Sequence, residues 1–481
     1  MFDSALERAA ELDTYIAEHR KPIGPLHGLP ISVKEHVYLK GTPATSGFVA
    51  WADDVSLVDA LIVKCLRESG AVFHVKTTNP QTLMMIETNS PLYGETTNPH
   101  NTSLTPGGSS GGEGALIAMR GSILGIGTDI GGSIRVPAAF SGIYGLKPSV
   151  NRIPHSGLAG GQAGMENIIG CVGPMSADPE GLNIFCEVAL RSNPWLEEPG
   201  LVEIPWKGKV EIPETLKIGV IWHDGVVSPH PPIRRALEEA AECLMRAGHE
   251  VVPWECGDMH RQLEAWIHEA YFLDAGEDFR ETLQLGGEPE LDLISWVMSK
   301  GPEKAVSARE SWKTNVRGNA LRTLYAQLWN QSGVDVILSP CNPAVASVLG
   351  ESKYWGYSNV WNAMDFSSLV FPYGKVQPTD TWEKYPASNN LDKQGKEKEV
   401  LRDVTNSQTA FADTAPTEDG YMSEADKLFR SFYTGPERYK DAPISLQLIG
   451  RKHRDEYLLS VLDKVRMAIV QETTKQEMMD E

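Results

Sequence analysis

Between Gly107 and Phe140 the chain reads GGSSGGEGALIAMRGSILGIGTDIGGSIRVPAAF. Glycine accepts positive φ and lets backbone approach another group closely. A stretch this rich in glycine is therefore broken into short elements joined by tight turns. Ser110 to Gly112 form a helix entrance, EGALIAMRG the helix, and ILGIGTD a buried strand. The turn that follows, TDIGGS, brings the N–H groups of Ile130, Gly131, Gly132 and Ser133 around one point. Consecutive N–H groups of this kind form an anion-binding nest, which suits a developing oxyanion. The run holds Ser109, Ser110 and Ser133 but no histidine.

Other readings of the glycines compete. A phosphate-binding loop requires GxxxxGK[ST], which is missing, and Gly125 and Gly127 supply only GIGTDI where a dinucleotide fingerprint needs a third glycine. Tight packing of helix on strand explains glycine richness equally well. A serine nucleophile needs a base. The GxSxG elbow is absent around these serines, and His155 has no carboxylate at a recognisable spacing. Lys34, in the apolar stretch LPISVKEH, is a candidate, because burial against apolar groups lowers a lysine pKa. On local sequence alone, a pairing of Lys34 with Glu35 or Glu87 is the simpler reading. His36 and His155 read as structural, and HEAYF at His268 lacks the second histidine of HExxH, so no metal is expected.

The rest of the chain alternates helical and strand patterns, which implies α/β layering. Residues 4–18 and 57–69 have helical periodicity, ISV before Lys34 and AVFHVKT are strands. A second α/β unit follows with LKIGVIW, the helix IRRALEEAAECLMRAG, HEVVPWE and the buried strand VDVILSP. ISLQLIG and the helix DEYLLSVLDKVRMAIV close it, and QETTKQEMMDE reads as a solvated end. Residues 376–440 are polar and read as a surface insertion within one domain spanning 1–481. The 44 Lys and Arg against 64 Asp and Glu give a net charge of −20, which argues against nucleic acid and anionic membrane as partners. Six scattered cysteines without a CxxC pair, and no bilayer-length apolar run, fit a cytoplasmic chain with reduced thiols and no stable membrane insertion.

The run GGSSGGEGALIAMRGSILGIGTDIGGSIRVPA resembles the amidase signature hydrolases at every fixed position. The likeness extends to GPLHGLPISVKE, NPHNTSLTPGG, GLKPSVNRIPHSG, GPMS, ISLQLIG and RDEYLL. VNRIPHSG and YSNVWNAMDFSSLVFPYGKV are similar to the fungal acetamidase branch of general amidases. The resemblance implies an amidase signature fold, a mixed β-sheet core covered by helices on both faces. It implies a Ser–cis-Ser–Lys triad of Ser133, Ser109 and Lys34, with the N–H groups of Ile130 to Ser133 as the oxyanion hole. It further implies structural roles for Ser110, Thr128, Asp129 and Arg135, and a backbone contact to substrate from Leu83. No cofactor is expected. The implied substrate is a small aliphatic or aryl carboxamide, hydrolysed through an acyl-enzyme.

A glutaminase subunit of a tRNA-dependent amidotransferase and a fatty or aryl amide hydrolase with esterase side activity are the alternatives. Leu83, Met84, Met85, Tyr354, Trp355, Tyr357 and Trp361 are read as apolar pocket walls, with plain core packing the equal alternative for Leu83 and the aromatics. Only 33 residues precede Lys34, where the family usually has a longer helical region, a difference that a truncated N-terminus or a late start of the gene model would each account for. The family leaves a homodimer open.

Overall fold

The structure, a computed structural model, describes residues 1–385 and 423–480, with side chains through residue 475. Its strands are β1 (Pro30–Lys34), β2 (Val72–Thr77), β3 (Asn89–Ser90), β4 (Gly94–Glu95), β5 (Leu124–Asp129), β6 (Tyr144–Lys147), β7 (Cys171–Ser176), β8 (Lys217–Val220), β9 (Glu250–Pro253), β10 (Val336–Pro340), β11 (Ser367–Lys375) and β12 (Pro443–Gly450). Ten of them form one sheet in the order β2-β1-β5-β7-β6-β11-β12-β10-β8-β9, and β3 pairs with β4 apart from it. The three strands at either end run parallel, and those between them are antiparallel to their neighbours. The sheet is therefore mixed, as expected. Every residue of β5, β7, β10 and β12 is buried, so both faces of the sheet centre are covered.

Thirteen α-helices lie among the described residues. They are α1 (Phe2–His19), α2 (Leu61–Glu68), α3 (Gly111–Ala118), α4 (Arg135–Ser141), α5 (Pro179–Arg191), α6 (Pro231–Arg246), α7 (Met259–Tyr271), α8 (Glu277–Gly286), α9 (Asp292–Met298), α10 (Ala308–Ser332), α11 (Gly356–Ala363), α12 (Glu424–Phe432) and α13 (Asp455–Asp480). Local chemistry sets several of their ends. Pro231 and Pro232 open α6, where a missing N–H costs nothing. Ile233, Ala236, Leu237, Ala240 and Leu244 then repeat at helical spacing and are buried. Ser307 and Glu310 close a reciprocal capping box at the start of α10.

Differences from the sequence reading have local causes. The helix expected from residue 57 begins at Leu61, and Leu57 and Val58 remain 82% and 59% exposed. Their apolarity extended the periodic pattern without a core to meet it. The polar stretch 376–440 is not solvated at its flanks. Asp380, Tyr385, Phe429, Tyr433 and Tyr439 are buried, Arg235 Nε donates to Asp380 at 2.7 Å, and Tyr433 Oη donates to the Asp380 carbonyl at 2.7 Å. Residues 386–422 of the expected insertion lie outside the described residues. The C-terminal segment expected as a solvated end continues α13 as far as Asp480.

Candidate active site

Lys34 ends β1, and its side chain has no exposed surface. Its Nζ lies 2.7 Å from Ser109 Oγ and 2.8 Å from Thr128 Oγ1. Burial lowers its pKa to about 7, against the opposing charges of Asp129, Glu113 and Glu35. The neighbouring imidazole of His36 settles the direction of these bonds. Its Nδ1 lies 2.8 Å from the Ala159 carbonyl, which can only accept, so Nδ1 carries the proton. Burial and the nearby Lys34 hold His36 well below its ordinary pKa, so the ring is neutral and Nε2 accepts. The Thr128 hydroxyl, 2.9 Å away, therefore donates to Nε2 and presents a lone pair to Lys34. A neutral Lys34 that donates one proton to Thr128 keeps its own lone pair free to accept from Ser109.

Ser109 follows a cis peptide bond from Gly108 and is 2% exposed. Gly108 has no alternative, because a Cβ there would stand 2.0 Å from the Glu87 carbonyl oxygen. Ser110 stands immediately before α3, and its N–H donates to the Ser133 carbonyl at 3.1 Å. That bond joins the two serine segments. The Ser110 hydroxyl and the Thr128 backbone lie within 3.4 Å of each other. Ser133 is 5% exposed, and its hydroxyl bonds to nothing among the described residues.

The loop from Asp129 to Ser133 is folded around one carboxylate. Asp129 Oδ1 accepts from Gly132 N at 2.9 Å, Arg135 Nη2 at 3.0 Å and Asn362 Nδ2 at 2.9 Å. Its Oδ2 accepts from Ile134 N at 3.1 Å, Arg135 N at 3.4 Å and Arg135 Nε at 2.9 Å. Asp129 and Arg135 are both fully buried. Burial would raise the Asp129 pKa, but Arg135 outweighs it and holds the carboxyl far below its usual range. Two hydroxyls pin the loop from outside: Tyr271 Oη donates to the Ile130 carbonyl at 2.6 Å, and Ser358 Oγ to the Gly131 carbonyl at 2.7 Å. In a trans peptide the N–H points opposite to the carbonyl. The Gly131 N–H is thereby turned away from Tyr271.

The four N–H groups expected around one point are not alike in the structure. The Gly132 N–H is bonded to Asp129 and is not free for a ligand. The N–H groups of Ile130, Gly131 and Ser133 have no acceptor among the described residues. Gly132 instead supplies backbone shape, with φ +132° and a missing Cβ that would meet Ser358 Oγ at 2.5 Å. Leu83 is half-buried with φ +65°, next to Thr82 at +63°, an uncommon pair for non-glycine residues.

The expected aromatic walls separate into two groups. Tyr357 and Trp361 are core: Tyr357 Oη donates to the Val227 carbonyl and Trp361 Nε1 to the Tyr357 carbonyl. Tyr354 Oη is held by Asp224, and Met84 and Met85 are buried in the same core. Trp355 is in that core as well, 3% exposed, but it is the one that borders the loop: its ring would stand 3.3 Å from a Cβ on Gly131. Ser358, Asn362, Tyr271 and His36 were not singled out as site residues from sequence, and no local pattern marks them. Among the described residues no cluster of three or more His, Cys, Asp or Glu could hold a metal ion, and no helix is long and apolar enough to cross a membrane.

The amidase family model matches residues 1–459. The chain belongs to the amidase family. Acetamidase of Emericella nidulans is 36% identical over 476 residues, covering 96% of this chain and 80% of its own length. Acetamidase of Aspergillus oryzae is 35% identical over 474 residues, covering 96% and 81% respectively. The solved structure of a fatty acid amide hydrolase superposes with a TM-score of 0.87 at 32% identity, covering 97% of this chain and 77% of that one. This amidase is therefore a hydrolase of amide C–N bonds on an amidase signature fold.

Proposed function

We propose that this amidase hydrolyses small aliphatic or aryl carboxamides to the carboxylate and ammonia, through an acyl-enzyme on Ser133. The observation that carries this reading is the fully buried Lys34 amine, 2.7 Å from Ser109 Oγ and in hydrogen-bond contact with no carboxylate. Such an amine loses its proton near pH 7 and can then act as a base. Ser133 Oγ attacks the amide carbon while its proton passes to Ser109 Oγ, whose own proton passes to Lys34 Nζ. The carbonyl oxygen gains the negative charge facing the N–H groups of Ile130, Gly131 and Ser133. The relay then runs backwards: Lys34 returns a proton to Ser109, Ser109 protonates the leaving nitrogen, and ammonia departs. Water attacks the Ser133 ester by the same route and releases the carboxylate.

Trp355, packed beside Gly131, favours a flat apolar acyl group. At about 25 cal/mol per Å2 of buried apolar area, a phenyl ring is worth more than tenfold in kcat/KM over a methyl. The six buried free cysteines favour a reducing compartment, and we assign the chain to the cytoplasm.

The test has two arms. A serine-directed fluorophosphonate is expected to label Ser133 alone, read by peptide mass spectrometry, and Ser133→Ala is expected to fold but neither label nor turn over. An adduct on another serine overturns the nucleophile. kcat/KM is then measured for acetamide, phenylacetamide, glutamine and a long-chain acyl amide. Phenylacetamide is expected to lead, and a lead by glutamine or by the long chain overturns the substrate class.

A further inference from the structure

Glu113 lies in the first turn of α3, four residues beyond Ser109, and is completely buried. Its Oε2 accepts from Ser32 Oγ at 2.5 Å and its Oε1 from Thr77 Oγ1 at 2.8 Å. Both donors belong to the strands that place Lys34. Ser32 and Lys34 are two apart on β1 and project to one face, and Thr77 is the partner of Lys34 in the β1–β2 ladder. The third strand makes room for the carboxyl group. Gly125 of β5 is paired with Ser32, and a Cβ on it would stand 2.0 Å from Glu113 Oε2.

A buried carboxyl group without an ion-pair partner is poor structural material, because a packed apolar side chain avoids its desolvation cost. Asp129 is compensated by Arg135, whereas the hydrogen-bond partners of Glu113 are two neutral hydroxyls. Burial raises the Glu113 pKa to about 7, with Ser32, Thr77 and the charge of Lys34 opposing. Lys34 is governed by its burial, then by Asp129, Glu113 and Glu35. Two of those three anions are engaged elsewhere: Asp129 with Arg135, and Glu35 with the N–H groups of Thr45 and Ser46 and with Tyr93 Oη. His36, which faces Lys34 through Thr128, is neutral.

We propose that Glu113 is a positioning residue for the Lys34 proton: carboxyl and amine titrate as one buried pair, and the pair, not the lysine alone, fixes where on the pH scale the amidase switches on. The inference rests on Lys34 being the general base. A carboxylate near Lys34 favours its ammonium form, so it delays the appearance of the neutral base as pH rises. Glu113→Gln keeps the shape and removes that charge. The acidic limb of kcat/KM should then move to lower pH by about half a unit or more, a roughly threefold higher rate on the limb at pH 6. The plateau at pH 9 should stay within about twofold.

The experiment records kcat/KM for phenylacetamide, and the rate of inactivation by a fluorophosphonate, from pH 5 to 9. It compares the wild type, Glu113→Gln, Glu113→Asp, Thr77→Val and Lys34→Ala. Glu113→Asp restores the charge and should bring the limb back toward wild type. Thr77→Val removes one donor to the carboxylate, makes it harder to ionise, and should shift the limb the same way by less. If Glu113→Gln does not fold, as judged by circular dichroism, Thr77→Val carries the test. Lys34→Ala separates the two ideas. A Lys34→Ala enzyme with a wild-type profile defeats the reading of Lys34. An inactive Lys34→Ala, together with Glu113→Gln and Thr77→Val limbs that coincide with wild type, defeats the role of Glu113 alone.

Discussion

Replacing Asp129 with asparagine changes one oxygen to an NH2 group and removes one charge. Whichever way the new amide points, three donors that now meet a carboxylate oxygen would face the NH2 instead. With one orientation these are Gly132 N, Arg135 Nη2 and Asn362 Nδ2; with the other, Ile134 N, Arg135 N and Arg135 Nε. Arg135 keeps only neutral acceptors, the Ser358 carbonyl at 2.8 Å, Gln447 Oε1 at 3.1 Å and Asn362 Oδ1 at 2.6 Å. Its charge has no exposed surface. Breaking a buried pair from one side costs about 3–5 kcal/mol, and that is the expected loss in stability. The loop bearing Ser133 loses its template at the same time, so kcat/KM for phenylacetamide should fall by about 100-fold or more.

The pH dependence of this loss has a definite sign. The folded Asp129 pKa lies below its unfolded value, so its stabilisation is complete above the unfolded carboxylate range. It is lost progressively as pH falls from that range down through the folded value. The gap between wild type and Asp129→Asn should therefore be constant from pH 6 to 8. Urea unfolding followed by tryptophan fluorescence measures the gap, and turnover is assayed in parallel. A loss under about 1 kcal/mol with kcat/KM intact would refute the claim that one carboxylate shapes this loop.

Two further outcomes are expected. Lys34→Ala should reduce kcat by several orders of magnitude, and the wild-type rate should rise with pH through about 7, where the folded Lys34 loses its proton; a rate that is flat from pH 5 to 9 with a chemistry-limited substrate contradicts this. Gly132→Ala should cost about 1–3 kcal/mol for its positive φ, plus displacement of Ser358 Oγ at 2.5 Å, with kcat lowered more than KM is raised; unchanged turnover would mean that the loop tolerates a different backbone path.

Much of this arrangement was readable before any coordinates. Alternation of apolar runs placed β1, β2, β5, β8, β10 and β12, because buried strands must be apolar whatever their neighbours, and it placed the half-exposed edge strand β9 as well. What periodicity cannot supply is which strand lies beside which. Lys34 and Ser109 are 75 residues apart, and only the family resemblance joined them. The four N–H groups after Asp129 were equivalent on paper, since the bond from Gly132 depends on where a side chain turns. Tyr271 and Ser358 reach the loop from 141 and 227 residues away, beyond any local pattern. The aromatic cluster was seen but its facing was not. Helical spacing groups Tyr357 with Trp361, yet nothing in that spacing says that Trp355 is the one beside Gly131. Glu113 was legible as a charge at a glycine-rich helix start, without a hint that Gly125 opens space for it.

The position of β12 has a consequence for how the enzyme comes into being. Among the described residues it is the strand between β11 and β10 that joins the two parts of the sheet, and it also carries Gln447, which binds Arg135. A ribosome must therefore release every strand from β1 to β12 before the halves can be joined and the Asp129–Arg135 loop fully fastened. Until then the nascent chain holds Lys34, Ser109 and Ser133 without their final support. A chain that stops before Pro443 lacks this strand and the Gln447 bond to Arg135, and is expected to be inactive.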